Sequence, residues 1–127
     1  MSLRDRIGID VGSRLKLEDA IEWAAEHEVH WIDIQLDSGA NVLSSFDDAR
    51  AAGVRRACER YAVHLGLHTA SAVNVAEVAP YVADAVEHYL EAYVEIAPRL
   101  APNGSSCMRA SISPPIRSDG WPSVAID

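Results

Sequence analysis

Three short apolar runs alternate with segments of helical periodicity along residues 1–100. The runs 6–11, 31–36 and 63–68 are rich in aliphatic residues and border turn-forming or polar residues, which predicts three buried strands. In the run 31–36 apolar residues occupy both faces of the expected strand, with Trp31 on one face and Ile32, Ile34 and Leu36 on the other. We therefore expect this strand to be covered on both faces, as strands of parallel sheets are.

The segments between the first and third strands have the pattern of amphipathic helices. In residues 16–27 apolar side chains share one face and acidic side chains occupy the other, which predicts the first helix. A second helix is expected to run to about Tyr61. Ser45 and Asp48 resemble a capping box at its start, with Asp in place of the usual Glu.

A third helix follows the last strand. Asn74 with Glu77, and then Pro80, have the composition of a helix start. The helix that follows carries a long apolar face made of Val82, Val86, Tyr89, Leu90, Tyr93, Val94 and Ala97.

The order βα, βα, βα predicts an α/β fold with a parallel sheet and right-handed crossovers. An open doubly wound sheet and a closed barrel both begin in this way. The first strand is not followed by the glycine pattern G-x-G-x-x-G, so a dinucleotide-binding fold is not favoured.

The formal net charge of −8 argues against a nucleic acid or an anionic membrane as partner, because both bind basic surfaces. Cys58 and Cys107 lack metal-ligand spacing and are too few for a disulfide framework. The charged start has no apolar run of a signal peptide, and no segment approaches the length of a membrane span. A cytoplasmic protein is the expectation.

Chemistry in parallel α/β folds is concentrated at the carboxyl ends of the strands. This rule selects Asp10, Gln35, Asp37 and His68. A histidine at the carboxyl end of a strand, such as His68, is suited to divalent metal binding or acid–base catalysis. It could equally serve only to hydrogen-bond a neighbouring loop. Asp10 could bind substrate or cap the loop that follows it.

Two segments resemble one family. They are RIGIDVGSRLKLEDAIEWAAEHEVHWIDIQLD, residues 6–37, and HLGLHTASAVNVAE, residues 64–77. The first segment is similar to the N-terminal opening of the sugar phosphate isomerase/epimerase group, and the second is similar to that group's third strand and the loop after it. The group resembles xylose isomerase and endonuclease-IV-type barrels. The likeness covers about residues 5–100. Gln35 is a departure, because Glu usually stands at that position.

The resemblance implies that residues 1–100 form the first three βα units of a (β/α)8 TIM barrel. It implies a divalent metal (Mn, Mg, Zn or Co) and proton transfer beside the carbonyl of a sugar or related polyol. His68 matches the catalytic or metal-binding position, and Asp10, Gln35 and Asn74 are the candidates for substrate binding.

Residues 101–127 have a different composition, rich in Ser and Pro and without strand or helix periodicity, so they read as an irregular tail. A barrel needs about 250 residues. Back-translation with one G restored after the Leu100 codon allows the amino-acid sequence RLGAEWIVVHAG. This would be a strand that ends in His-Ala-Gly, as the family would have at this point of the barrel. The codon spanning Cys107 and Met108 is then restricted to His or Tyr. We therefore interpret the tail as out-of-frame sequence, and a genuine short protein with an evolved tail is the alternative. Resequencing the gene would distinguish the two.

Three βα units alone would leave a sheet edge and the barrel interior uncovered. An open edge favours pairing with another chain, and we expect an apolar interior patch, self-association or a marginal monomer. The predicted function is accordingly a truncated sugar isomerase/epimerase, inactive in this form. The alternative is a small non-catalytic binding or oligomerisation module that uses the exposed edge.

Overall fold

The computed structural model describes residues 4–68 and 73–100. Three strands alternate with three α-helices: β1 (Gly8–Asp10), α1 (Leu17–Glu26), β2 (Trp31–Gln35), α2 (Asp48–Tyr61), β3 (His64–His68) and α3 (Pro80–Leu100). Short 3-10 turns lie at Arg4–Arg6, Gly39–Asn41 and Leu43–Ser45. The predicted α/β order is confirmed. The tail, residues 101–127, lies outside the described residues, so its reading-frame interpretation stays a prediction.

The strands form one parallel sheet in the order β1-β2-β3. Ile9 is paired with Ile32, and Ile32 is paired with Leu65, so the apolar positions of the three strands are in register. Within the described residues β1 and β3 each pair on one side only, which leaves both outer edges open.

The core lies between one face of the sheet and the helices. Ile32 and Ile34 of β2 are buried there, with Leu65 and Leu67 of β3 beside them. The helices contribute these buried residues: Leu17, Ala20, Ile21, Ala24, Ala51, Val54, Cys58, Tyr93, Ile96, Ala97 and Leu100. Burial raises the pKa of the Cys58 thiol to about 12, which makes it an unreactive core residue.

The opposite face of the sheet is not covered by any described element, and three expectations are corrected here. β2 is covered on one face only, because Asp33 is exposed between the buried Ile32 and Ile34. β1 was expected to be buried, yet Ile9 is 37% exposed at the sheet edge. The open face is also polar, whereas an apolar interior patch was expected.

The first turn of α1 is capped from a distance. Lys16 precedes the helix and makes no side-chain cap. Asn41 is fully buried, and its Oδ1 accepts a hydrogen bond from Leu17 N at 2.9 Å while its Nδ2 donates to Leu15 O at 2.8 Å. Arg50 closes the cluster by donating to Asn41 Oδ1 at 3.1 Å and to Glu18 Oε1 at 2.7 Å. This ion pair holds the pKa of Glu18 below its ordinary value.

The start of α2 differs from the expected capping box. Asp47 is the N-cap, and its side chain accepts a hydrogen bond from Arg50 N at 2.7 Å. Ser45 accepts instead from the Arg50 guanidinium, so its hydroxyl is used in the cluster around Asn41. The side chain of Asp48 pairs with Arg99 of α3 at 2.8 Å.

Only part of the predicted apolar face of α3 is buried. Tyr93 and Ala97 pack into the core, as does Leu100. Val82 and Val94 are 48% and 62% exposed, because no described element lies against them. α3 is therefore attached to the molecule mainly by its C-terminal half.

Candidate functional site

The open face of the sheet gathers polar side chains from all three strands. Asp10 of β1 is paired with Asp33 of β2, and Gln35 of β2 is paired with His68 of β3. Residues in register on neighbouring strands point to the same face. Because Ile32 and Ile34 point into the core, these four polar side chains lie on the opposite, open face near the carboxyl ends of the strands.

Asp10 and His68 face each other on this side of the sheet. His68 Nδ1 lies 3.9 Å from Asp10 Oδ2, with the two side chains 34% and 56% exposed. Asp10 Oδ1 accepts a hydrogen bond from Gly12 N at 2.7 Å, where Gly12 turns the chain at a φ of +64°. One oxygen of Asp10 therefore caps the loop, as one sequence reading expected, and the other faces His68. The substrate-binding reading of Asp10 stays a prediction.

Asp33 lies across the neighbouring strand, and Gly66 provides the space for it. A Cβ added to Gly66 would overlap Asp33 Oδ1 and lie 2.8 Å from Asp33 Cγ. The missing side chain at Gly66 thus lets the Asp33 carboxylate occupy the middle of the open face. Asp33 brings a second carboxylate into the same row as Asp10.

Of the other two predicted site residues, Gln35 lies on the open face and Asn74 lies in a loop. Gln35 is half-buried and is in register with His68, so it belongs to the same face. Asn74 lies in the loop before α3, and its Oδ1 accepts a hydrogen bond from Ala76 N at 3.2 Å. Asn74 therefore shapes its own loop, and its role in substrate binding stays a prediction.

The donor spacing of Asp10 and His68 is compatible with one shared metal ion. Ligand atoms about 2.0–2.2 Å from a metal are separated by at most about 4.4 Å, and the observed 3.9 Å falls within that limit. Across residues 4–68 and 73–100 no group of three or more His, Cys, Asp and Glu side chains is close enough to hold an ion. The pair would therefore supply two ligands and leave the rest to water or to other groups.

An aromatic pair covers the amino end of the same face. Trp31 and His64 are in register, and their rings stack with centroids 4.3 Å apart. His64 Nδ1 is buried and has no hydrogen-bond partner. At this end of the face, His64 is therefore packed against Trp31.

Asp37, which follows β2 after one residue, is held by two tyrosines of α3. Tyr89 donates to Asp37 Oδ1 at 2.7 Å, and Tyr93 donates to the same oxygen. The pKa of Tyr93 is raised above its ordinary value, mainly by burial and secondly by the hydrogen bond to Asp37. Burial likewise raises the pKa of Tyr89. Asp37 thus joins the end of β2 to α3.

The strand-end rule selected Asp10, Gln35 and His68, and it missed Asp33. The signal for Asp33 was its position between Ile32 and Ile34, where a charged residue marks the open face of a half-covered strand. The pairing of Asp33 with Gly66 depends on the register between β2 and β3, which is known only once the fold is known.

No protein-family model, curated protein or solved structure matches this chain. The described helices include none that is long and apolar enough to cross a membrane.

Proposed function

We propose that residues 1–100 are the first three βα units of a barrel enzyme of the sugar phosphate isomerase/epimerase type. In this proposal the chain descends from a metal-assisted isomerase or epimerase of a sugar or related polyol. The observation that carries it is the pairing of Asp10 and His68, with Asp33 and Gln35, on one polar face at the strand ends.

The arrangement is suited to moving a proton next to a carbonyl group. The His68 imidazole would accept a proton from the carbon beside a sugar carbonyl, and the electron pair of the broken C–H bond would move onto the carbonyl oxygen as an enediolate. Return of the proton to the neighbouring carbon, with a proton moving between the two oxygens, would complete an isomerisation. Asp10, with one oxygen fixed by Gly12 N, can stabilise the imidazolium that forms. Asp33 and Gln35 present groups that can hydrogen-bond sugar hydroxyls.

In the alternative role, Asp10 and His68 would together hold a divalent ion that polarises the substrate carbonyl, and His68 would then be a ligand instead of the proton acceptor. With only these two side chains as ligands, we expect weak binding. We also expect no turnover by this chain, because barrel active sites combine residues from the ends of several strands.

A titration with Mn²⁺, followed by nuclear magnetic resonance, tests the proposal. Paramagnetic broadening is expected to begin at Asp10 and His68, and His68→Ala is expected to weaken binding by about tenfold or more. His88→Ala, at an exposed histidine of α3, is the matched control and should leave the affinity unchanged. Equal affinities in all three proteins, broadening centred elsewhere, or no binding would contradict the proposal.

A further inference from the structure

α3 carries an apolar row beside an acidic row on a surface that no described element covers. Val86, Leu90 and Val94 recur every four residues and line an open groove of about 680 Å³. Because residues four apart lie on the same side of a helix, these side chains form one continuous stripe. Val94 of this stripe is 62% exposed.

The acidic row lies along the same groove. Glu87, Glu91 and Glu95 also recur every four residues, and all three are exposed. Like charges at this spacing destabilise a helix unless cations are near. The ion pairs found among the described residues are made by other groups, so none of these three glutamates is neutralised within that part of the chain.

We propose that this surface of α3 is the docking site for a basic amphipathic helix of a partner protein. The partner would place apolar residues spaced by three and four positions on Val86, Leu90 and Val94. Its flanking Lys or Arg residues would face Glu87, Glu91 and Glu95. This is the recognition mode in which a helix lies in an apolar groove and its charges fix the orientation.

Charge favours such a partner over a second copy of this chain. The groove is lined by apolar and acidic side chains, so two copies joined here would bring acidic rows together. The whole chain has a formal net charge of −8, which adds to the repulsion. A basic helix relieves the repulsion along α3 and covers the apolar row at the same time.

The test uses a fluorescent synthetic helix of about 18 residues, a length of about 27 Å, with leucines on one face and flanking lysines. Binding to the full chain is measured by anisotropy at physiological salt. The triple variant E87Q/E91Q/E95Q is expected to bind at least about tenfold more weakly. The same peptide with glutamates in place of its lysines should not bind.

Two matched controls separate a specific site from general attraction. D19N/E22Q/E26Q removes three exposed charges from α1 and should bind like the unmodified chain. Val94→Ser should weaken binding, whereas Val78→Ser, at a residue 89% exposed outside the groove, should not. Circular dichroism checks that each variant keeps its helices.

Four results would overturn the proposal. They are no binding of the basic peptide, an equal loss in the α1 and α3 triple variants, an equal effect of Val94→Ser and Val78→Ser, and a stable dimer of the chain alone that Val94→Ser dissociates. The last result would assign the surface to a second copy. None of these measurements depends on Asp10 or His68, so the outcome is independent of the proposed catalytic role.

Discussion

At the scale of single residues, Gly66 determines where the Asp33 carboxylate lies. The atoms that a Cβ would meet belong to the end of the Asp33 side chain and not to the backbone of β2. Asp33 is exposed, so its carboxylate can rotate away into solvent. A substitution at Gly66 should therefore disturb the polar face more than the fold.

We expect Gly66→Ala to change the free energy of unfolding by less than about 1 kcal/mol, because Ala also removes part of the entropy cost of Gly. Its main effect should be a displaced Asp33 carboxylate, seen as a shift of the Asp33 side-chain resonances. Urea denaturation measures the stability.

Gly53→Ala is the control for this experiment. A Cβ at Gly53 of α2 would come no closer than 4.0 Å to Arg56 Nη2, so this variant should be stabilised by about 0.5–1 kcal/mol. A loss above about 3 kcal/mol in Gly66→Ala would instead indicate a clash with the backbone.

The candidate residues differ in how far the sequence predicts them. Asp10 and His68 are identified by position, because each ends a strand that the apolar pattern already predicts. Asp33 lies within a strand, and whether its side chain lies on the open face depends on which face of the sheet the helices cover. That choice is made by the packing of Ile32 and Ile34, which the local sequence does not specify.

At the scale of elements, α1 depends on Asn41 for its first turn. Asn41 makes three hydrogen bonds in a fully buried position, to Leu17 N, to Leu15 O and to Arg50. The cluster around it also contains Glu18 of α1, paired with Arg50. It joins the start of α1 to the start of α2.

Asn41→Ala is expected to lower the free energy of unfolding by about 2–3 kcal/mol, because it leaves the buried Leu17 amide and the part-buried Leu15 carbonyl without this partner. Asp47→Ala, which removes an exposed N-cap of α2, should cost about 1 kcal/mol. Both values follow from urea denaturation monitored by circular dichroism. A loss in Asn41→Ala no larger than that in Asp47→Ala would contradict the assigned role.

The helices themselves were predictable, whereas the residues that cap α1 and α2 were not. Periodicity placed α1 and α2 within a few residues, since it reports the side that packs on the sheet. The Ser45–Asp48 capping box was wrong because Ser45 bonds the Arg50 side chain, and Asp47 caps α2. No local pattern could identify Asn41, which lies 24 residues from its partner Leu17.

At the scale of the whole molecule, α3 is joined to the rest by a small number of polar contacts beside its buried end. Tyr89 and Tyr93 bind Asp37, and Arg99 binds Asp48 and the carbonyl of Phe46. The open face of the sheet is polar, so it gives less reason for aggregation than an apolar interior would. Self-association through the open edges stays a prediction.

Tyr93→Phe is expected to cost about 1–2 kcal/mol near pH 7, because a buried bond to a carboxylate is lost. The raised pKa values of Tyr93 and Tyr89 also set a pH dependence. The folded state favours the protonated phenols, so their contribution is complete below the ordinary tyrosine pKa of about 10 and falls as pH rises above it.

Unfolding free energies measured from pH 8 to pH 11 check this prediction. The curve of the unmodified chain should fall above about pH 10 and approach that of Tyr93→Phe. Tyr81→Phe, at a tyrosine 91% exposed, should follow the unmodified chain throughout. Parallel curves for the unmodified chain and Tyr93→Phe would show that the bond to Asp37 has no such effect.

The cluster around Asn41 also determines when, during synthesis, the start of α1 can gain its hydrogen-bond partners. A nascent chain that ends before residue 41 contains all of α1 but lacks the acceptor for Leu17 N. Arg50, which contacts both Asn41 and Glu18, leaves the ribosome nine residues later. The start of α1 therefore has all of these hydrogen-bond partners only when the first turn of α2 has been made.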